Sequence, residues 1–126
     1  MKRFWIGISV LAVLLASGWA VAFFMGHCHA PISNELTQAA QTAMDGRLEQ
    51  AVQLAESAHD KWRLCRDFTA AFADHTVLEE MDSLFAEIGV YAAARDSISF
   101  SAACAHLAEL AKAVSESHHP KWQNLL

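Results

Sequence analysis

From Phe4 to Met25 the chain runs for 22 residues, FWIGISVLAVLLASGWAVAFFM, without a charge, and no other feature restricts its fold so severely. As a helix rising about 1.5 Å per residue, such a run covers about 33 Å, close to the ~30 Å hydrocarbon core of a bilayer. Trp5 near one end and Phe23 and Phe24 near the other resemble interfacial aromatic anchors. Residues 1–25 are therefore read as an N-terminal membrane anchor, 26–32 as a juxtamembrane linker, and 33–126 as a helical domain. The alternative is a cleaved secretory signal, because Lys2-Arg3 makes a basic start and Ala20-Val21-Ala22 fits the small-x-small rule. The apolar run continues through Phe23-Phe24-Met25 past that cut, which favours retention. His27 stands where lipoprotein processing at Cys28 needs a small residue.

Charge fixes the expected orientation. Lys2 and Arg3 precede the apolar run, and the far side has no Lys or Arg before Arg47. The positive-inside rule then places the N-terminus in the cytoplasm and the remainder outside the membrane. Beyond the anchor lie seven basic and fourteen acidic residues, hence a net charge of −7. A domain this acidic, with no basic stripe, is a poor fit to nucleic acid. About 100 residues for folding in water make one small domain, and few Gly and Pro among many Ala point to helices.

The segment His27-Cys28-His29-Ala30-Pro31 is expected to break the chain, since Pro31 cannot donate to a helix and restrains Ala30. A short helix is expected from an N-cap at Ser33, with Glu35 in its first turn, to the turn Asp45-Gly46. A second, from Arg47 to Ala73, shows the clearest period: Leu48, Val52, Ala55, Ala58 or His59, Trp62, Cys65, Phe68 or Thr69, and Phe72 recur at steps of three and four. Thr76 and Glu79 form a capping-box signature for a third helix reaching Ala94. A fourth runs from Ile98 or Ser99 to Ser117 and stops at His118-His119-Pro120. Trp122, Leu125 and Leu126 could pack from the tail. The fold class is all-α: a transmembrane helix followed by a small antiparallel bundle of three to four helices, a three-helix core with the short first helix packed beside it or leading into it.

Candidate chemistry is sparse. His27, Cys28 and His29 are of the right types to ligate zinc or copper, though adjacent residues on one helix cannot all converge without help from His118-His119 or another chain. Three cysteines leave at least one outside any intramolecular bridge. Cys65 with Cys104 is the pair to test first, because both fall on apolar helix faces, against the simpler reading of buried small hydrophobes. Asp74-His75 lacks an oriented nucleophile: Ser97, Ser99 and Ser101 come without a nucleophile-elbow pattern. No HExxH, CxxC or phosphate loop occurs, so no catalytic activity and no cofactor is expected. Trp62, Phe72 and His75 are the candidate interaction residues. A non-catalytic envelope module that binds a protein or itself through helix faces is the preferred function; an envelope metal or redox sensor is the alternative, and a cleaved secreted helical protein a third.

Two resemblances bear on this. Gly46-Arg47-Leu48-Glu49-Gln50-Ala51, with Ala58, is similar to the turn and second helix of a tetratricopeptide repeat, but occurs once, and a lone unit cannot bury its own faces. The order of a basic start, an apolar helix, Asp60-Lys61-Trp62, Phe72-Ala73-Asp74-His75 and a terminal Gln123-Asn124-Leu125-Leu126 resembles the domain of unknown function 4363 family, small single-pass membrane proteins mainly of clostridial Gram-positives. That resemblance covers the whole chain. It implies an anchored helical architecture, with Trp62 and His75 as shared positions, and carries no known activity.

Overall fold

The structure is a computed structural model that describes residues 1–117. The expected helix stop at His118-His119-Pro120 and the packing of Trp122, Leu125 and Leu126 lie outside the described residues. Four helices follow in order: α1 (Lys2–Met44), α2 (Leu48–Ala70), α3 (His75–Ala93) and α4 (Ser97–Ser117). Among the described residues there is no strand. α1 packs chiefly on α4 and α2, and α3 on α4 and more lightly on α2. The result is an up-down-up-down bundle of four helices.

The expected break at residues 26–32 does not occur: α1 is one helix of 43 residues with Pro31 inside it. Pro31 supplies no N–H to the His27 carbonyl, and an interior proline costs about 3 kcal/mol. The buried positions of α1 explain why the helix persists. Met25, His29, Ile32, Leu36, Ala39, Ala40 and Ala43 keep steps of three and four without a slip across Pro31. Several large side chains on that line, each contributing about 1.5–3 kcal/mol by burial, outweigh one missing hydrogen bond.

The same continuity corrects the reading of Ser33 and Glu35. Ser33 is not a cap but donates its hydroxyl to the Ala108 carbonyl of α4 at 2.9 Å. Glu35 is not in a first turn. It accepts from Lys61 and from Ser57 of α2. The second half of α1 is thus an integral member of the bundle, not a short helix beside a three-helix core.

Turn chemistry closes the far end of the bundle. Gly46 has φ +84°, and the Arg47 and Gly46 amides bond back to the Thr42 and Ala43 carbonyls, a Schellman stop that needs a left-handed residue. Arg95, at φ 55°, repeats the arrangement with Asp96 and Arg95 amides bonding to Tyr91 and Ala92. At the start of α3 the cap is Asp74, whose carboxylate accepts from the Thr76 amide at 3.0 Å, so the helix begins ahead of the expected capping box. Asp96 does the same for the Ser99 amide at 3.1 Å, and that hydrogen bonding holds its carboxyl below the usual range.

The first part of α1 is different in kind. Every residue from Met1 to Ala20 is exposed, including Trp5, Leu11, Leu14 and Trp19. α1 is the one helix among the described residues that is long and apolar enough to cross a membrane, and its most apolar stretch is almost entirely outside the bundle core.

Candidate functional site

The residues singled out by chemistry cluster where α1 leaves the bundle, but they do not converge. Successive side chains on a helix point about 100° apart, so His27, Cys28 and His29 go three ways. His27 is exposed and stacks on Phe23, ring centroids 5.8 Å apart. Cys28 forms a disulfide with Cys65 of α2, with Cα atoms 6.4 Å apart, inside the range a bridge requires. His29 is fully buried; its Nε2 pairs with the Thr69 hydroxyl at 3.0 Å, and its ring tilts against Trp62.

The pairing overturns the expected bridge between Cys65 and Cys104. Cys104 is a free, buried thiol, pushed up to about 12 by desolvation and therefore an inert hydrophobe. Sequence spacing put Cys65 and Cys104 on apolar faces but could not say which faces meet. The chain break that Pro31 predicts three residues after Cys28 hides the helix face on which Cys28 meets Cys65. Bound to sulfur, Cys28 offers no thiolate to a metal, and the described residues contain no group of three His, Cys, Asp or Glu placed to hold an ion.

Trp62 also moves from its expected role. It is wholly buried and so is part of the core, not of a surface a partner could touch. Its indole Nε1 donates to Asp82 of α3 at 2.7 Å, and Arg66 closes on the other Asp82 oxygen at 2.8 Å. Burial works to raise the Asp82 pKa, but the hydrogen bonds from Arg66 and Trp62 prevail and hold the carboxyl below its ordinary value. One helical turn away, His59 stacks on Phe85 and is held below 6.5, by burial first and then by Arg63.

Phe72 and His75 remain accessible. Phe72 lies in the turn after α2, packed at 5.1 Å against Phe68, which in turn meets Phe24 edge-on at 4.3 Å. His75 opens α3 at the end of the bundle where α1 leaves it. Ser97, Ser99 and Ser101 start α4, at the other end of α3, about 28 Å away for 19 residues of helix. The structure therefore does not bring Asp74-His75 and these serines together. Ser101 instead donates to the Ala40 carbonyl across the α1–α4 seam.

What is assembled is a knot of Met25, Cys28, His29, Trp62, Cys65 and Thr69 that fixes α2 to α1 where α1 leaves the bundle. Thr69 bonds both His29 and the Cys65 carbonyl. An open depression bounded by His27, Pro31, Asn34 and Ser115 lies beside it, over the gap that Pro31 leaves in the helix ladder. α4 runs antiparallel to α1, which is why Ser115 arrives at His27.

A family model described as a domain of unknown function (DUF4363) matches residues 23–125. No curated protein and no solved structure matches the chain.

Proposed function

The chain belongs to the DUF4363 family, and from that premise we propose that it is a single-pass, membrane-anchored module that holds a non-catalytic helical bundle outside the cytoplasm for contact with an envelope protein. The observation that carries this reading is the continuity of α1. One rigid helix passes from an exposed apolar segment straight into the bundle core, so the bundle rides at a fixed height and rotation over the anchor. The Cys28–Cys65 bridge supports the extracytoplasmic side, where disulfides persist, and agrees with Lys2 and Arg3 staying inside. The partner surface is the outside of the bundle, where Leu64, Val90 and Ile98 are each more than half exposed among acidic side chains. Crosslinking in intact membranes followed by mass spectrometry is expected to trap a second chain. A monomer without crosslinks, still resistant to alkaline extraction, removes the interaction role and leaves the anchor. An intact mass lacking residues 1–22 removes the anchor in favour of the secreted form.

The disulfide favours a second reading, an envelope thiol sensor, over the metal sensor. Its sulfurs join the anchor helix to α2, so reduction loosens that junction. Thiol trapping across a redox titration tests it: a bridge that stays oxidised throughout makes the bond purely structural.

A further inference from the structure

The span and the bundle overlap in height. Phe72, in the turn between α2 and α3, faces α1 across a cleft lined by Leu14, Ser17, Gly18, Val21 and Ala22. Those five residues belong to the uncharged run of residues 4–25, not to the part beyond it. Gly18 lies seven residues before Met25, about 10 Å down the helix axis from the end of the run. A bilayer needs about 20 residues of helix to cross its ~30 Å core. If the α2–α3 turn stayed in water, only residues 4–13 would be left below it, about 15 Å of helix, half of what the hydrocarbon requires.

The turn itself has the chemistry for the alternative. Between Asp67 and Asp74 the sequence Phe68-Thr69-Ala70-Ala71-Phe72-Ala73 has no charge. The amides of Ala71, Phe72 and Ala73 bond to the carbonyls of Phe68 and Thr69, which lowers the cost of taking these donors out of water. Phe72 is 47% exposed. Phe24, Phe68 and Phe72 make a continuous aromatic ledge from α1 to the turn.

We propose that the α2–α3 turn, residues 68–73, is a second membrane contact, immersed among the acyl chains of the leaflet on the bundle side, below its headgroups, with the cleft between Phe72 and Gly18 open to lipid tails. The bundle is then seated in the membrane surface on two supports, α1 and this ledge, and not carried above it on a stalk. This rests on residues 4–25 crossing the bilayer, and the test separates the two.

The full chain is placed in phosphatidylcholine–phosphatidylglycerol vesicles carrying lipids spin-labelled along the acyl chain, and an environment-sensitive fluorophore is attached at one added cysteine. The parent chain, with Cys28 and Cys65 bonded and Cys104 buried, is the blank. Ala71→Cys and Phe72→Cys report on the turn, Ala16→Cys on the span and Ala94→Cys on the far end of the bundle. The expected result is blue-shifted emission at either turn site, with quenching comparable to that at Ala16 and severalfold above that at Ala94. Quenching at Ala16 with both turn sites as unquenched as Ala94 overturns the ledge and spares the anchor. An unquenched Ala16 overturns both.

Discussion

Leu11 and Leu36 sit on the same unbroken helix, and their surroundings are opposite: Leu11 is 58% exposed and Leu36 is fully buried. Before Val21 the helix is apolar on every face and touches little of the protein. After Met25 only one stripe is apolar, and that stripe is the bundle core. All-round hydrophobicity answers a solvent that is itself apolar, whereas one-sided hydrophobicity answers a protein neighbour. The division falls within one continuous helix, not between two structural elements.

The sharpest way to break that contrast is to truncate the same residue type in both halves. Leu36→Ala should destabilise the bundle by about 3–5 kcal/mol, since it removes a buried side chain from a packed seam. Leu11→Ala should leave thermal unfolding of the detergent-solubilised protein within about 0.5 kcal/mol of the parent. Comparable losses at the two sites would mean that residues 4–20 pack against protein. Next in size is the bridge. Cys28 and Cys65 close a loop with a sequence separation of 37, for which cross-linking contributes about 2–4 kcal/mol. Reduction, or Cys28→Ser with Cys65→Ser, should lower stability by that amount as read by denaturant midpoint. Removing Cys104 should not reproduce it.

Much of this was legible in the chain. The long apolar first helix is plain from its 22 uncharged residues, and the inward face of α2 follows from the period that includes Ala55, Ala58, Trp62 and Cys65. The helix end marked by Asp45-Gly46 was also readable, because its chemistry is local. What could not be read is what depends on two helices at once. Whether Trp62 turns to a partner or to Asp82, and whether Cys65 faces Cys28 or Cys104, depends on bundle handedness and register, to which a single helical period is blind. Pro31 misled for the same reason: its local cost is visible, while the buried line from Met25 to Ala43 that outweighs it is a tertiary fact.

That junction yields the third prediction. Pro31→Ala restores an amide to the His27 carbonyl at the point where the exposed half of α1 joins the buried half. Stability should rise by about 1–3 kcal/mol, less than the full interior penalty, because the packed helix has already absorbed part of it. Solvent exchange of the neighbouring amides should slow in step. A fall in stability instead would mean that the proline ring fills the space beside Asn34 and Ser115 better than it harms the ladder.

The smallest effect belongs to the bundle half, since residues 4–25 carry no ionisable side chain. His59 is held below 6.5, by burial and by Arg63, with Asp60 and Asp82 opposing. The unfolded chain therefore binds this proton more readily than the folded one, so the contribution is intact above about pH 6.5 and declines as pH falls through the lowered folded value. The ring is partly exposed, and after solvent screening the loss should stay under about 0.5 kcal/mol. A second decline should come only in acid, where protonation of Asp82, whose pKa is depressed below 3.8, releases Arg66 and Trp62. Thermal midpoints between about pH 7.5 and pH 5.5 should drop slightly in the parent and stay flat in His59→Gln. A parent profile flat through that window would place the His59 ring in water and not against Phe85. A drop that survives His59→Gln would assign the near-neutral step to another histidine of the bundle.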